Sequence, residues 1–130
     1  MYNTSMTIWE SGRESRLLDE IILGRKTVEG RLNRSKFAKY QVGDIIKLRR
    51  DYRDENGVLQ DGEPDAARVK IEAISHYPNF LSMVETEGFR NVIPYVTNAQ
   101  EAADEYNNYY SSEDQAKYGV LAIEVKVIKH

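Results

Sequence analysis

The sequence predicts a mixed α+β fold, and three observations support this class. Three segments have the apolar runs or the polar–apolar alternation that is typical of strands: residues 44–50, 67–75 and 119–128. Apolar residues at helical spacing predict a helix over residues 14–23, and a capping pattern at Asn98 begins a second helix over residues 98–110. The last strand starts fully apolar and then alternates, which is typical of a strand that closes a barrel.

The segments between these elements also carry local signals. Gly24 suits the left-handed position just beyond the end of the first helix. Residues 51–65 contain six acids and the Asn56-Gly57 turn signal, which together predict a protruding hairpin loop. Short strands and one short helix, ended by a glycine, complete the prediction: strands at residues 6–9 and 27–32 and a helix at residues 80–86.

Length and composition indicate a single domain that spans residues 1–130. Hydrophobic residues make up 41% and charged residues 30% of the chain, which excludes a disordered or fibrous protein. No stretch approaches the roughly 18 apolar residues of a membrane helix, and no secretory signal is visible, so we expect a cytoplasmic protein without a membrane partner. There is no cysteine and there are only two histidines, His76 and His130, so we expect no metal site and no cofactor.

The charge of the chain is unevenly distributed. Residues 24–50 hold nine of the eighteen basic residues and two acids, a local charge of +7 in a chain of net charge −3. Clustered lysine and arginine attract phosphates, so this segment predicts an anion-binding surface, and the alternative is a solvated charged face. The acidic remainder of the chain argues against a protein that wraps DNA without sequence preference.

The run Gly24-Arg25-Lys26-Thr27-Val28-Glu29-Gly30-Arg31, followed by Gly43-Asp44, resembles the signature of the ASCH domains, which belong to the PUA-like superfamily. Three further features fit this resemblance: Glu87-Gly88-Phe89, the Tyr109-Tyr110 pair, and Lys117-Tyr118-Gly119-Val120 at the start of the last strand. The resemblance covers about residues 17–128. It implies a small barrel of about five or six strands with flanking helices, and a cleft lined by the Gly-x-Lys-x-x-Glu segment.

The resemblance also implies a class of ligand, because ASCH domains are associated with RNA or nucleobase recognition. One branch hydrolyses N4-acetylcytidine with a lysine, a hydroxyl nucleophile and a glutamate, and another member is a ribonuclease. Lys26 matches the lysine and Glu87 the glutamate, so the candidate catalytic residues are Lys26, Glu29 and Glu87. Glu29 occupies the hydroxyl position, however, and a carboxylate cannot replace that nucleophile unchanged.

Binding of RNA, a nucleotide or a nucleoside is therefore the leading hypothesis, and an enzyme acting on RNA or a modified nucleoside is the alternative. The candidate substrate-binding residues are Arg25, Thr27, Arg31 and Tyr109. A partly exposed Lys26 would hold a phosphate or carbonyl together with Arg31, although a structural salt bridge between Lys26 and Glu29 is the simpler interpretation. Helical spacing favours core packing for Tyr106, Tyr109 and Tyr110, and stacking on bases is the alternative.

Overall fold

The structure is a computed structural model, and it describes residues 6–130. Five strands form one sheet: β1 (Ile8–Glu14), β2 (Val28–Leu32), β3 (Ile45–Arg53), β4 (Leu59–Tyr77) and β5 (Val120–Lys129). Their order across the sheet is β1-β3-β4-β5-β2. Strands β1 and β3 are parallel, and the other neighbouring pairs are antiparallel. Strands β1 and β2 are therefore the two edges of the sheet.

Five helices flank the sheet: α1 (Ser15–Ile22), α2 (Phe80–Glu87), α3 (Phe89–Val92), α4 (Ala99–Asn107) and α5 (Ser112–Tyr118), with a 3₁₀ turn at Ser35–Lys39. Helices α2, α4 and α5 begin after Asn79, Asn98 and Ser111, whose side chains accept hydrogen bonds from backbone N–H groups of the first turn. These caps satisfy donors that have no partner within the helix. None of the described helices is long and apolar enough to cross a bilayer.

Two hydrophobic cores stabilise the curled sheet. The first packs Leu18 and Ile21 of α1 against apolar side chains of the central strands, including Leu48, Ile71 and Ile123. The second packs α2, α3 and α4 against β2 and the start of β5, with Phe80 and Met83 fully buried. The sheet curls so far that side chains of its two edge strands meet, since Arg13 of β1 contacts Glu29 of β2. The predicted α+β fold, a small barrel of about five or six strands with flanking helices, is confirmed, with five strands that form a curled half-barrel sheet.

The hairpin predicted at residues 51–65 is wrong in extent, because most of this segment continues β3 and β4. Only residues 54–58 turn the chain, with the Asp54 carboxylate accepting hydrogen bonds from the N–H groups of Asn56 and Val58. Some of the acids that predicted a solvated loop pair with arginines: Arg49 pairs with Asp51 on its own strand and with Asp61 on the neighbouring strand. Ion pairing between the strands lets an acidic sequence form a regular ribbon.

Several shorter elements also differ from the sequence prediction. Strand β1 begins at Ile8 and continues to Glu14, so it is longer than the strand expected at residues 6–9. The helix expected at residues 98–110 ends at Asn107, and α5 follows it as a separate helix with its own cap at Ser111. Helix α3 and the 3₁₀ turn are too short to produce a periodic apolar pattern.

Candidate functional site

A cleft of about 250 Å³ opens beside the meeting point of β1 and β2, under helix α4. Four charged side chains from the two edge strands and the loop before β2 form one part of its lining, and we call them the charged floor: Arg13, Lys26, Glu29 and Arg31. The structure thus brings together Lys26, Glu29 and Arg31 of the Gly24–Arg31 segment. Glu29 and Arg31 are two residues apart on β2, so strand alternation places them on the same face.

Glu29 is the centre of the charged floor and is only 3% exposed. Its Oε1 accepts a hydrogen bond from Nε of Arg13 at 2.8 Å, and its Oε2 lies 3.6 Å from Nη1 of Arg31. Burial by itself would raise the pKa of Glu29, but the charges of Arg13, Lys26 and Arg31 outweigh burial and hold this pKa well below its usual range. The carboxylate is therefore ionised under all ordinary conditions.

Lys26 is 4% exposed, so the expectation of a partly exposed side chain is wrong. Its Nζ donates hydrogen bonds to the backbone carbonyls of Val28 at 3.0 Å and Val92 at 2.6 Å. These contacts join the loop after α1 to the end of α3, and they hold the ammonium inside the protein. Burial lowers the pKa of Lys26 to about 8, against the opposing attraction of Glu29. Lys26 stabilises the local backbone, while Glu29 pairs with Arg13.

Arg31 is the cation of the floor that is most open to the cleft, with 19% of its side chain exposed. Its Nη1 donates a hydrogen bond to the carbonyl of Gly30 at 2.8 Å, and its guanidinium lies 5.2 Å from the ring centre of Phe37. Burial would lower the pKa of Arg31, but Glu29 and the neighbouring tyrosine side chains raise it overall. Arg31 is a fixed, fully charged donor.

Tyrosines form the other part of the lining: Tyr95, Tyr106, Tyr109 and Tyr110. Tyr106 stacks on Phe80 with ring centres 4.3 Å apart, and Tyr110 stacks on the same ring at 5.2 Å. Core packing is thus the role of Tyr106 and Tyr110, as their spacing favoured. Tyr109 is 76% exposed, so the core packing that its spacing favoured is wrong for this residue, and its ring lies open to solvent beside the cleft.

Gly30 makes room for this arrangement. A Cβ at this position would lie 2.9 Å from Cζ of Tyr106 and 2.8 Å from Cε of Met83, which is closer than real contacts allow. The absence of a side chain lets the Tyr106 ring approach the backbone of β2 between the two charged residues Glu29 and Arg31. A glycine in a strand interior is often explained by this kind of close approach.

Three of the predicted site residues lie outside the cleft. Arg25 forms an exposed ion pair with Glu20 at 2.6 Å, and Thr27 precedes β2 without joining the cleft lining. Glu87 lies at the end of α2, where its carboxylate accepts a short hydrogen bond from the hydroxyl of Tyr77, and this bond raises the pKa of Tyr77 to about 12. Glu87 is not among the residues that line the cleft with Lys26.

The basic segment at residues 24–50 is largely neutralised by acids. Within the described part of the chain, five of its nine cations form salt bridges: Arg25, Arg31, Arg34, Arg49 and Arg50. Lys36 donates a hydrogen bond to the carbonyl of Glu10, which lies on the edge strand β1. The local charge of +7 therefore does not form one open basic surface.

Arg13 is a site residue that the sequence did not reveal. It lies on β1, outside the basic segment, and it is buried with its Nη1 donating to the hydroxyl of Ser11 and the carbonyl of Gly12. The only signal was its position in a strand that also contains Ser11, two residues earlier on the same face. Among residues 6–130, no cluster of three or more histidine, aspartate or glutamate side chains could hold a metal ion.

Comparison with known proteins places the chain in one family. The hypothetical protein PH0355 has 34% sequence identity and a TM-score of 0.78, with 94% of this chain and all of that chain covered. The protein PF0455 from Pyrococcus furiosus has 33% identity and a TM-score of 0.74, with coverage of 95% and 100%. The ASCH domain from Lactobacillus crispatus has the same fold at 15% identity and a TM-score of 0.57, with coverage of 95% and 81%. No curated protein matches the chain.

The sequence model of the ASCH domain matches residues 15–129. This match includes Lys26, Glu29 and Arg31 of the charged floor and all of the tyrosines at the cleft, and Arg13 lies two residues before it. On this evidence, the chain belongs to the ASCH domain family.

Proposed function

We propose that this protein binds RNA or a nucleotide, and that the cleft above the charged floor holds one nucleotide unit. The observation that carries the proposal is that Arg31, a charged and partly exposed arginine, lines the same cleft as the exposed ring of Tyr109. Arginine supplies a planar set of donors for phosphate or a base edge, and an exposed tyrosine ring can stack on a base. The ASCH domain fold is itself of an RNA-binding type.

The size of the cleft supports a small ligand. Its volume of about 250 Å³ lies just below the range of about 300–1,000 Å³ that is common for pockets of drug-sized ligands. A single nucleoside or nucleotide matches this scale, whereas a folded RNA would contact the cleft only through one unstacked residue. Single-stranded RNA is usually recognised in this way, with bases splayed out onto aromatic side chains.

The alternative, an enzyme acting on RNA or a modified nucleoside, has less support from the geometry. Glu87 is bonded to Tyr77 away from the cleft lining, and Glu29 occupies the position where the hydrolase branch has its hydroxyl nucleophile. Lys26 already donates to the carbonyls of Val28 and Val92. A catalytic lysine must reach the reacting proton directly or through one water. These two contacts direct Nζ of Lys26 towards the backbone instead.

Titration calorimetry with nucleotides and short single-stranded RNAs tests the proposal. We expect Tyr109→Ala to weaken binding by about tenfold, since stacking of one base contributes about 1–3 kcal/mol. Tyr52→Ala is the matched control, because Tyr52 is also an exposed tyrosine but lies at the far end of β3. Equal affinities of the two variants would contradict the proposed role of the cleft.

A second experiment separates binding from hydrolysis. The protein is incubated with N4-acetylcytidine and with a short RNA, and the products are analysed by mass spectrometry. Binding without conversion is the expected result. Turnover that disappears in Glu87→Gln would favour the enzymatic alternative instead.

A further inference from the structure

The charged floor contains more positive than negative charge. Arg13, Lys26 and Arg31 contribute three cations, and Glu29 contributes one anion, so the net charge of the floor is +2. Lys26 counts as a cation at neutral pH because its pKa is about 8. A buried charge without an opposite charge nearby costs free energy, so proteins usually pair a buried cation with an anion.

The other carboxylates at the cleft do not neutralise the floor. Glu14 is 41% exposed at its side chain and pairs with Arg53 at 3.4 Å. Glu105 of α4 lines the cleft, but within the described chain it forms no salt bridge with Arg13, Lys26 or Arg31. Among the described residues, neither Glu14 nor Glu105 forms a salt bridge with a cation of the charged floor.

The two arginines of the floor also keep donors for a ligand. Nη1 of Arg31 donates to the carbonyl of Gly30 and lies near the carboxylate of Glu29. Nε of Arg13 donates to Glu29, and its Nη1 donates to the Ser11 hydroxyl and the Gly12 carbonyl. Among the described residues, Nε and Nη2 of Arg31 and Nη2 of Arg13 have no hydrogen-bond partner. The Arg31 side chain is 19% exposed, so a ligand in the cleft can approach its free donors, whereas the Arg13 side chain is only 4% exposed.

We propose that the charged floor binds a phosphate monoester, so that the preferred ligand is a nucleotide with a terminal phosphate. A monoester carries about −1.5 to −2 charges at pH 7, which matches the floor, while an internal phosphodiester carries one. Its three equivalent oxygens suit the free donors of two arginines. The sugar and base then extend towards Tyr109, and Glu14 and Glu105, which also line the cleft, accept hydrogen bonds from hydroxyl or amino groups. This inference rests on the proposed function and narrows its ligand class.

A ligand series on the unmodified protein tests the inference. Calorimetry at about pH 7 and low salt, about 50 mM, compares the 3′- and 5′-monophosphates of the four nucleosides with the nucleosides and with dinucleotides that have one internal phosphodiester. We expect the best monophosphate to bind at least about fivefold more tightly than its nucleoside and its dinucleotide, because charge-assisted hydrogen bonds form only with the terminal phosphate. A smaller preference overturns the inference and leaves the proposed function intact.

Inorganic phosphate and phenyl phosphate extend the series to ligands without a nucleoside. If these anions raise the melting temperature while no nucleoside, nucleotide or RNA binds better than they do, the phosphate site stands and the proposed nucleotide function fails. If no phosphate monoester of any kind binds, the inference is overturned.

Two glutamine variants locate the phosphate. Arg31→Gln removes a floor cation and should abolish most of the preference for the monophosphate, with a smaller effect on nucleoside affinity. Arg34→Gln is the matched control, since Arg34 follows the same strand but pairs with Asp114 outside the cleft. A preference for the monophosphate that survives in Arg31→Gln would overturn the assignment. If that variant does not fold, Arg31→Lys, which keeps the charge but loses the planar set of donors, should weaken the preference for the monophosphate, and an unchanged preference would overturn the assignment.

Discussion

Arg13 and Glu29 lie on the two opposite edge strands of the sheet, and their side chains meet at 2.8 Å in the interior. Backbone pairing does not join β1 to β2, so this ion pair is the link between the two edges of the half-barrel sheet. Because Glu29 also faces Lys26 and Arg31, this link and the charged floor of the cleft depend on the same carboxylate. We therefore expect stability and the proposed ligand binding to depend on the same residue.

Removing one partner of this pair should be strongly destabilising. We expect Arg13→Met to lower the free energy of unfolding by about 3 kcal/mol, because it leaves a buried carboxylate without its hydrogen-bonded cation. The double variant Arg13→Met with Glu29→Gln should lose less than the sum of the two single variants. Urea unfolding of the four proteins measures this coupling, and strictly additive losses would show that the pair does not link the two edges of the sheet.

Acid should weaken the protein through Glu29. The folded pKa of this carboxyl lies well below its usual value, so the stability it contributes is present above about pH 4.5 and is lost as the pH falls towards the folded pKa. Urea unfolding between about pH 6 and pH 2.5 should show a steep loss in the native sequence and a shallower loss in Glu29→Gln. Glu55→Gln is the control, since Glu55 is exposed in the turn between β3 and β4. Identical slopes for all three proteins would be inconsistent with a buried ionised Glu29.

Lys26 should make the protein more stable as the pH rises above neutrality. Its folded pKa of about 8 lies below its ordinary value of 10.5, so the unfolded chain binds the extra proton and stability rises with pH between these values. We expect the native protein to gain about 2 kcal/mol relative to Lys26→Met between pH 7 and pH 9.5. The comparison with Lys26→Met cancels the other titrating groups. A difference that is independent of pH would mean that Lys26 is better solvated than its contacts indicate.

Substitution of Gly30 should perturb the cleft from within the strand. Gly30→Ala places a methyl group against Tyr106 and Met83, and overpacking of this kind costs about 1–3 kcal/mol. Thermal melting measures the loss, and a change in the near-ultraviolet circular dichroism should report displacement of the Tyr106 ring. Stability within about 0.5 kcal/mol of the native protein would show that the ring moves away freely.

Salt should affect ligand binding only mildly. The basic segment alone predicts three to five phosphate contacts and a fall of about two to four logarithmic units in affinity per tenfold rise in salt. Because Arg25, Arg34, Arg49 and Arg50 are paired with acids, we expect about two contacts and a fall of about 1.4 units for single-stranded RNA. Calorimetry at several salt concentrations gives the slope, and a value beyond three units would indicate a second basic surface.

The parts of the site that the sequence predicted are those that lie close together in the chain. Lys26, Glu29 and Arg31 belong to one short segment, and two-residue spacing on a strand is enough to place Glu29 and Arg31 on one face. Arg13 could not be found in this way, because its contact with Glu29 depends on the curl of the whole sheet. Local spacing does not encode how two sheet edges approach each other.

Local sequence patterns also did not predict the burial of Lys26 or the ion pairs of the acids in residues 51–65. Lys26 follows a helix end, where side chains are usually solvated, but α3 covers it and supplies the Val92 carbonyl. The acids of residues 51–65 resembled a solvated loop until their partners across the hairpin were known. In both cases the contacting residue lies at least ten residues away along the chain. Local secondary-structure propensity does not include contacts at this distance.

The placement of β5 beside β2 affects the order in which the protein can fold. Val28 pairs with Glu124, 96 residues later in the chain, and β5 also separates β2 from the rest of the sheet. Contacts of such long range form slowly, because the intervening chain loses much entropy before they are made. On the ribosome, β2 therefore has no partner strand until synthesis has passed β5. The charged floor proposed to bind a nucleotide therefore depends on β5, and we expect a chain whose synthesis has not reached β5 to lack this site.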